Sequence, residues 1–240
     1  MINTIPLTQH FSELKLRGSY LFLTVTTNFL VCYNYLDQLL FLLVTPLGRN
    51  FIFTYMPEVF FTGLKLSIVV AIIVTLPLFA LQSTLFLAPG LYNTEKLFVA
   101  KVSLALLGLF YLGLLSAYKV VIPAICNLFL TFELLSPYLN IELTPKISEY
   151  YTLVSKLLFI TSQFFQLPVY LFLVIKYNLI KLSTLADNKK AISAGILLVV
   201  AAISPPDFVI QALLFAVLFC IYELSLAWLH IIKKYWQLNK

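Results

Sequence analysis

The segment TPKISEYYTLVSKLLFITSQFFQLPVYLFLVIKYN, Thr144 to Asn178, decides the fold class of this chain. Its apolar part is longer than the ~18 residues that mark a membrane-spanning helix. The segment also carries Gln163, Gln166 and Pro168 near its middle. Two amides and a residue without an N–H each cost free energy in lipid. The segment therefore predicts a membrane span whose polar groups face protein, water or a partner.

The composition of the whole chain extends this prediction. Of its 240 residues, 61% are hydrophobic and 11% are charged, whereas soluble domains have about 25% charged residues. The mean hydropathy is +0.97. Too few charges are present to cover a soluble globule. We predict an all-α polytopic membrane protein that forms one bundle over residues 1–240.

Six apolar segments predict six transmembrane helices, and both ends of the chain then lie on one side of the membrane. Pro57 and Glu58 form a good first turn for the second helix, and Pro123 is expected to end the third. The predicted spans are residues 20–44, 60–87, 97–122, 150–175, 191–204 and 208–228.

The fifth predicted span is short. Its 14 residues reach roughly 21 Å, against a hydrocarbon core of about 30 Å. Such a helix is either buried among its neighbours, or it thins the bilayer or docks a partner.

Lysine and arginine positions predict the orientation. Eleven of the sixteen basic residues fall on the side that holds both termini, and five fall on the other side. By the positive-inside rule, both termini face the inner compartment. The net charge of +6 is interpreted as this orientation signal. Nucleic acid is not an expected partner, because no basic cluster is interleaved with aromatic residues. No signal-peptide cleavage site precedes the first apolar run, which is expected to be a permanent helix.

Polar residues inside the spans are the main candidates for function. Gln163 lies one turn before Gln166, so both are expected on roughly the same face, and Pro168 is expected to bend the helix there. They form either a polar surface on a concave, bent helix or a hydrogen bond that ties the bundle together. Glu223, within the last span, is either a protonated or paired structural residue or part of a functional surface. Asp207, which follows two prolines, is expected to cap the sixth helix.

The residues for several kinds of chemistry are missing from the sequence. The three cysteines have no CxxC spacing, so neither a zinc site nor a disulfide framework is expected. No nucleotide-binding glycine loop occurs. His10 and His230 lie at or beyond span ends, which argues against haem ligands in the bilayer. We expect no cofactor, no metal and no catalytic site.

Several short motifs carry a resemblance to a known family. In their order and spacing they are similar to the TatC family, the core subunit of the twin-arginine protein translocase. The motifs are HFSELKLR (10–17), PEVFFTGLKLS (57–67), Pro77, FLAPGLYNTEK (86–96), FYLGLLSAYKVVIP (110–123), FFQLPV (164–169), SPPDFVIQ (204–211) and YE (222–223).

The resemblance implies a glove-shaped bundle of six helices that receives folded cargo by a signal peptide with an adjacent arginine pair. The positions that match the family's acidic residues are Glu13 and Glu95, with Lys15 and Arg17 beside the first of them. Carboxylates accept two hydrogen bonds from each guanidinium group. Lys15 replaces the family's usual arginine and loses the bidentate geometry.

The resemblance also implies partners. Gln166 matches a mid-membrane polar position of the family, often glutamate, which implies contact with single-span TatA-like and TatB-like subunits. Gln163, Pro168 and Glu223 are placed with it, and the short fifth span matches the partner-docking helix. The chain is expected to join a larger complex as a homo-oligomer and to use the proton-motive force. Structural and outer-loop roles are expected for Pro57, Glu58, Pro89, Pro206, Asp207 and Gln211.

The compartment and the rival function are predicted from composition and repeats. The 21 Phe, 14 Tyr and few arginines suggest an AT-rich organelle genome, and residues 53–67 resemble mitochondrial and alphaproteobacterial relatives. A mitochondrial inner membrane is favoured over a plastid thylakoid or a bacterial inner membrane. The alternative function is an ion-coupled secondary transporter of a small solute, which should show two related halves. No internal repeat is found.

Overall fold

Helices account for the regular secondary structure of this computed structural model. It describes residues 7–55, 57–87, 92–134, 144–204 and 207–238. Within these ranges the chain forms α1 (Leu7–Asn34), α2 (Leu36–Val44), α3 (Glu58–Leu87), α4 (Asn93–Ser116), a π-helical turn (Ala117–Val121), α5 (Ile122–Leu134), α6 (Ile147–Phe164), α7 (Leu167–Lys176), α8 (Leu182–Asp187), α9 (Lys189–Ile203) and α10 (Phe208–Leu238). The fold is all-α, as predicted. The extended pairing among the described residues is one isolated bridge, between Ile52 and Lys146.

The apolar length of the helices fits a protein that crosses the membrane several times. In the described residues, four helical stretches are long and apolar enough to span a bilayer, and the bent pair of α1 and α2 makes a fifth if it is one span. The four are Glu58–Phe86, Glu95–Thr131, Ile147–Lys176 and Phe208–Lys234. Large apolar side chains are exposed on them, such as Leu104 and Leu224, each 70% exposed. Lipid contact explains this exposure.

The helices differ from the predicted spans at three places. The first predicted span, residues 20–44, is not one straight helix, because α1 and α2 meet at an angle of 74° on either side of Tyr35. The bend seats Leu36 against Gly63, where a Cβ atom would lie 2.6 Å from the Leu36 side chain. The last helix does not end near Trp228 but continues to Leu238.

Pro123 does not end the third span. The chain makes a π-helical turn just before it, in which the Ile122 N–H donates to the carbonyl of Ala117. Pro123 is then the second residue of α5, directly after the π-helical turn, and the change in hydrogen-bond register there accommodates a residue without an N–H. The helix continues to Leu134.

The chain forms two compact units. The first contains Met1–Val44 and Phe53–Leu107. In it α1 and α3 run antiparallel, because Arg17 bonds to Gln82 and Asn28 to Thr75. The hydrogen bond from Asn28 Nδ2 to Thr75 Oγ1, 3.1 Å long, satisfies two polar groups in an otherwise apolar contact.

The second unit contains Thr45–Ile52 and Gly108–Lys240. In it α10 packs against α6, α7, α8 and α9. Buried residues at helical spacing form one face of α10. They are Ile210, Leu214, Leu218, Tyr222, Leu226 and Leu229.

Candidate functional site

Glu13 forms an ion pair on the first turns of α1. The Arg17 guanidinium donates to Glu13 Oε1 from Nη2 at 2.6 Å and from Nε at 3.1 Å. The side chains are four residues apart and therefore lie on one face of the helix. The Glu13 side chain is 30% exposed. Its carboxylate is thus held in one place and is still open to solvent.

Arg17 also connects this pair to the end of α3. Its Nη1 donates to Gln82 Oε1 at 3.0 Å, and its Nη2 lies 3.4 Å from the Leu85 carbonyl oxygen. Five N–H groups in a rigid fork allow one guanidinium to serve several acceptors. Arg17 therefore fixes Glu13 beside the last turns of α3.

Glu95 lies at the same end of the first unit. It is in the first turn of α4, which begins at Asn93, six residues after the end of α3. Glu95 Oε2 accepts a hydrogen bond from the Tyr92 backbone N–H at 2.9 Å, and its side chain is exposed. A carboxylate there is stabilised by the positive end of the helix dipole. Two carboxylates that are open to solvent, those of Glu13 and Glu95, thus lie near the C-terminal end of α3.

An apolar groove of about 400 Å³ runs between α3 and α4 near these acids. Leu85, whose carbonyl faces Arg17, contributes to it, and Lys96 lies at its polar edge. Lys15 is exposed on α1. The other lining residues are Leu81, Thr84, Val99, Ala100, Ser103, Leu104 and Leu107.

The helix break at Gln166 lies where the sequence predicts a bend. α6 ends at Phe164 and α7 begins at Leu167, with Pro168 in its first turn. The Gln166 N–H bonds to the Gln163 carbonyl at 3.1 Å, so the intervening turn is tightened. Pro168 has no N–H to continue the ladder, which explains the break.

Gln166 is buried, with 9% of its surface exposed. Its Oε1 accepts a hydrogen bond from the Tyr170 hydroxyl one turn later. Gln163 is half-buried. The amide of Gln166 therefore faces protein and not lipid, as its desolvation cost requires.

Glu223 is paired, which was one of the two structural alternatives predicted for it. Both of its carboxylate oxygens accept hydrogen bonds from Lys189 Nζ, at 2.7 and 2.8 Å. The neighbouring Tyr222 hydroxyl donates to the Leu185 carbonyl at 3.0 Å. These contacts fasten α8 and the start of α9 to α10.

The predicted structural residues that the structure describes have clear local roles. Asp207 caps α10, because its Oδ1 accepts from the Val209 N–H at 2.9 Å. The Gln211 N–H donates to the Asp207 carbonyl. Glu58 begins α3 after Pro57 and is 2% exposed. Pro89 and Pro206 lie outside the described residues.

Sequence reasoning missed the long-range partners of these groups. Gln82 and Lys189 have no local signal beyond being polar residues at an apolar position or at a span end, whereas Tyr170 lies four residues after Gln166, a spacing that could have indicated the contact. Among the described residues, no three His, Cys, Asp or Glu side chains come close enough to hold a metal ion.

Comparisons with known proteins give a consistent result. The family model TatC, described as Sec-independent protein translocase protein, matches residues 9–216. The tatC-like protein ymf16 of Reclinomonas americana is 34% identical over 98% of this chain and 91% of that protein. The Sec-independent protein translocase protein TatC of Rickettsia prowazekii is 34% identical over 91% of this chain and 90% of that protein. A crystal structure of the twin arginine translocase receptor TatC aligns with a TM-score of 0.75 and 26% identity, over 90% of this chain and 97% of that one.

Proposed function

Because this chain belongs to the TatC family of Sec-independent protein translocases, we propose that it is the signal-peptide receptor and core subunit of a twin-arginine translocase. In this role it is a translocase subunit and not an enzyme. It exports folded proteins across an energy-transducing membrane with the proton-motive force. Family membership favours this function over an ion-coupled transporter of a small solute.

The main support for the receptor role is the placement of Glu13 and Glu95 at one end of the first unit. Two separate carboxylates suit two adjacent arginines of a signal peptide, because each carboxylate can accept two hydrogen bonds. Arg17 holds Glu13 and is in turn satisfied by Gln82. An incoming guanidinium can therefore share the Glu13 carboxylate without leaving Arg17 unpaired.

The groove between α3 and α4 suits the apolar part of such a peptide. A signal peptide has a charged segment followed by 7–15 apolar residues in general. Leu85 lies in the groove and its carbonyl faces Arg17, so the groove begins beside the Glu13 pair. In this proposal the arginines meet the acids and the apolar segment lies in the groove. Arg17 positions Glu13, and Lys15 is an exposed cation at the signal-peptide site.

Partner subunits and location complete the proposal. TatA-like and TatB-like single-span subunits bind near Gln166 and Gln163, and the chain functions in a homo-oligomeric complex. It resides in the mitochondrial inner membrane. The support for this location is an amino-acid composition typical of AT-rich genomes and the similarity to proteins of Reclinomonas americana and Rickettsia prowazekii.

Site-specific crosslinking of a twin-arginine precursor tests the receptor role. A photo-crosslinker is placed next to the arginine pair, and capture is compared for the native chain, Glu13→Gln, Glu95→Gln and the double charge reversal to Lys. We expect each single variant to reduce capture about tenfold and the reversal to reduce it about a hundredfold, since charged hydrogen bonds are each worth about 1.5–3 kcal/mol.

Two controls keep this experiment decisive. Glu149→Lys reverses an exposed acid of the second unit and is expected to leave capture unchanged. A precursor with two lysines in place of the arginines should lose less on the same substitutions, because lysine makes no bidentate pair. Equal capture by the native chain and the inserted double-reversal variant would show that these acids do not receive the arginine pair.

A further inference from the structure

A second groove lies where two membrane spans end. It has a volume of about 320 Å³ and lies between the end of α7 and the last turns of α10. Its floor is apolar, and lysines from both helices line its edge. The lining residues are Phe172, Ile175, Lys176, Asn178, Leu182, Leu229, Ile232 and Lys233.

A tight turn ends α7 beside this groove. α7 ends in a Schellman motif, in which the Leu179 N–H bonds to the Val174 carbonyl and the Asn178 N–H bonds to the Ile175 carbonyl. Asn178 adopts a left-handed conformation with φ of 56°, which asparagine tolerates better than most residues. α7 ends at this point, α10 continues to Leu238, and Leu182 at the start of α8 lines the groove between them.

The depth of the groove in the membrane follows from the helices that form it. The two apolar stretches end at Lys176 and Lys234. Trp228 packs its ring 6.2 Å from that of Phe172 and is 44% exposed, and Tyr177 is 62% exposed. Exposed tryptophan and tyrosine are enriched at the level of lipid headgroups. The groove therefore lies at the boundary between acyl chains and headgroups.

Its chemistry matches one class of ligand. Lys176 and Lys233 supply positive charge at headgroup level, and the leucine, isoleucine and phenylalanine side chains supply an apolar surface below it. Lysine stems lie along apolar surface while their ammonium groups reach water or phosphate. A basic pocket between spans is a known arrangement for anionic lipid headgroups.

We propose that this groove binds an anionic glycerophospholipid, with its phosphate between Lys176 and Lys233 and part of one acyl chain against Leu229 and Ile232. The bound lipid fills the gap between α7 and α10 at the membrane surface. This inference does not depend on the receptor role of Glu13 and Glu95, which lie in the other unit.

Native mass spectrometry of the purified full chain in detergent tests the proposal. The fraction with bound dioleoylphosphatidylglycerol is compared with the fraction with bound dioleoylphosphatidylcholine. We expect the native chain to retain the anionic lipid preferentially. Lys176→Gln with Lys233→Gln should lower its retention about tenfold and leave phosphatidylcholine retention unchanged.

The matched control carries the same loss of charge outside the groove. Lys190→Gln with Lys234→Gln removes two exposed lysines that do not line the groove and should retain the lipid. Equal losses in the two double variants would show diffuse attraction and overturn the proposal.

Two further measurements test whether the ligand is a lipid rather than a soluble phosphate, and whether its acyl chain lies on the apolar floor of the groove. Millimolar glycerophosphoglycerol, which lacks acyl chains, should not displace the lipid, and displacement would overturn the proposal. Ile232→Trp keeps both lysines and fills the apolar floor. It should reduce retention severalfold, and unchanged retention would mean that no acyl chain lies there.

Discussion

Gln166 shows how a polar residue is kept inside a membrane span. A buried amide without partners costs free energy, and here its oxygen accepts a hydrogen bond from the Tyr170 hydroxyl on the same helix. Pro168 interrupts the helix at this point, so the amide lies at a break and not on a regular helical face. A glutamine keeps donors and an acceptor at this depth but carries no titratable proton.

Substitution of Gln166 separates a structural role from partner binding. Gln166→Leu should weaken recovery of TatA-like and TatB-like subunits about threefold to thirtyfold, because interhelical polar contacts are worth about 0.6–2 kcal/mol. Tyr170→Phe removes the intramolecular donor but keeps the ring, and should leave recovery near the native level. Complexes are measured on native gels after extraction in mild detergent.

The outcome has two clear alternatives. If both substitutions weaken the complex equally, Gln166 acts through Tyr170 and only shapes α7. If neither does, the partner site lies elsewhere. Gln163→Leu, three residues earlier in the same proposed partner site, should also weaken recovery.

At the scale of single residues, the sequence predicts which polar residues matter better than it predicts their long-range contacts. The pair of Glu13 and Arg17 is visible from a spacing of four. The contact of Arg17 with Gln82 joins residues 65 apart, and that of Lys189 with Glu223 joins residues 34 apart. Such contacts depend on which helices are neighbours, and local patterns do not contain this information.

At the scale of the helices, the sequence likewise does not predict which prolines interrupt a helix. Pro77, Pro123 and Pro168 all lie in apolar helical stretches, yet α3 continues through Pro77, a π-helical turn precedes Pro123, and the helix breaks at Pro168. Each proline frees a carbonyl one turn earlier. The result depends on whether that carbonyl finds another donor, which tertiary packing decides.

Close packing of α4 and α6 leads to a prediction at this scale. A Cβ atom on Gly113 would lie 2.7 Å from the Ser162 backbone Cα and 3.0 Å from the Phe165 Cβ. Gly113→Ala should therefore force the two helices apart and lower the free energy of unfolding by about 1–3 kcal/mol. Unfolding is followed in mixed micelles with increasing denaturing detergent.

Gly108 provides the matched control on the same helix. No atom lies within 4 Å of a Cβ placed there. Gly108→Ala should be neutral or stabilise the helix by about 0.5–1 kcal/mol, because alanine loses less backbone entropy. Equal effects of the two substitutions would mean that α4 and α6 are not in close contact at Gly113.

At the scale of the whole molecule, the number of membrane crossings depends on α9. The predicted short fifth span is a helix of 15 residues, which reaches about 22 Å against a hydrocarbon core of about 30 Å. Its first residue, Lys189, is tied to Glu223 on α10. If α9 crosses, the bilayer must thin around its exposed side, where Leu198 is 71% exposed.

Cysteine labelling tests whether α9 crosses the membrane. Single cysteines replace Thr144, Ser183 and Phe208 in a chain whose native cysteines are alanine, and all three positions are exposed. Thr144 precedes α6, Ser183 lies between α7 and α9, and Phe208 follows α9. A membrane-impermeant maleimide is added to sealed vesicles of either orientation, and detergent-opened vesicles give the full labelling of each site.

We expect Ser183→Cys to react from the lysine-rich inner side and the other two from the opposite side. Reaction of Phe208→Cys from the same side as Ser183→Cys would make α9 a re-entrant helix and place the end of the chain on the outer side, against the positive-inside rule.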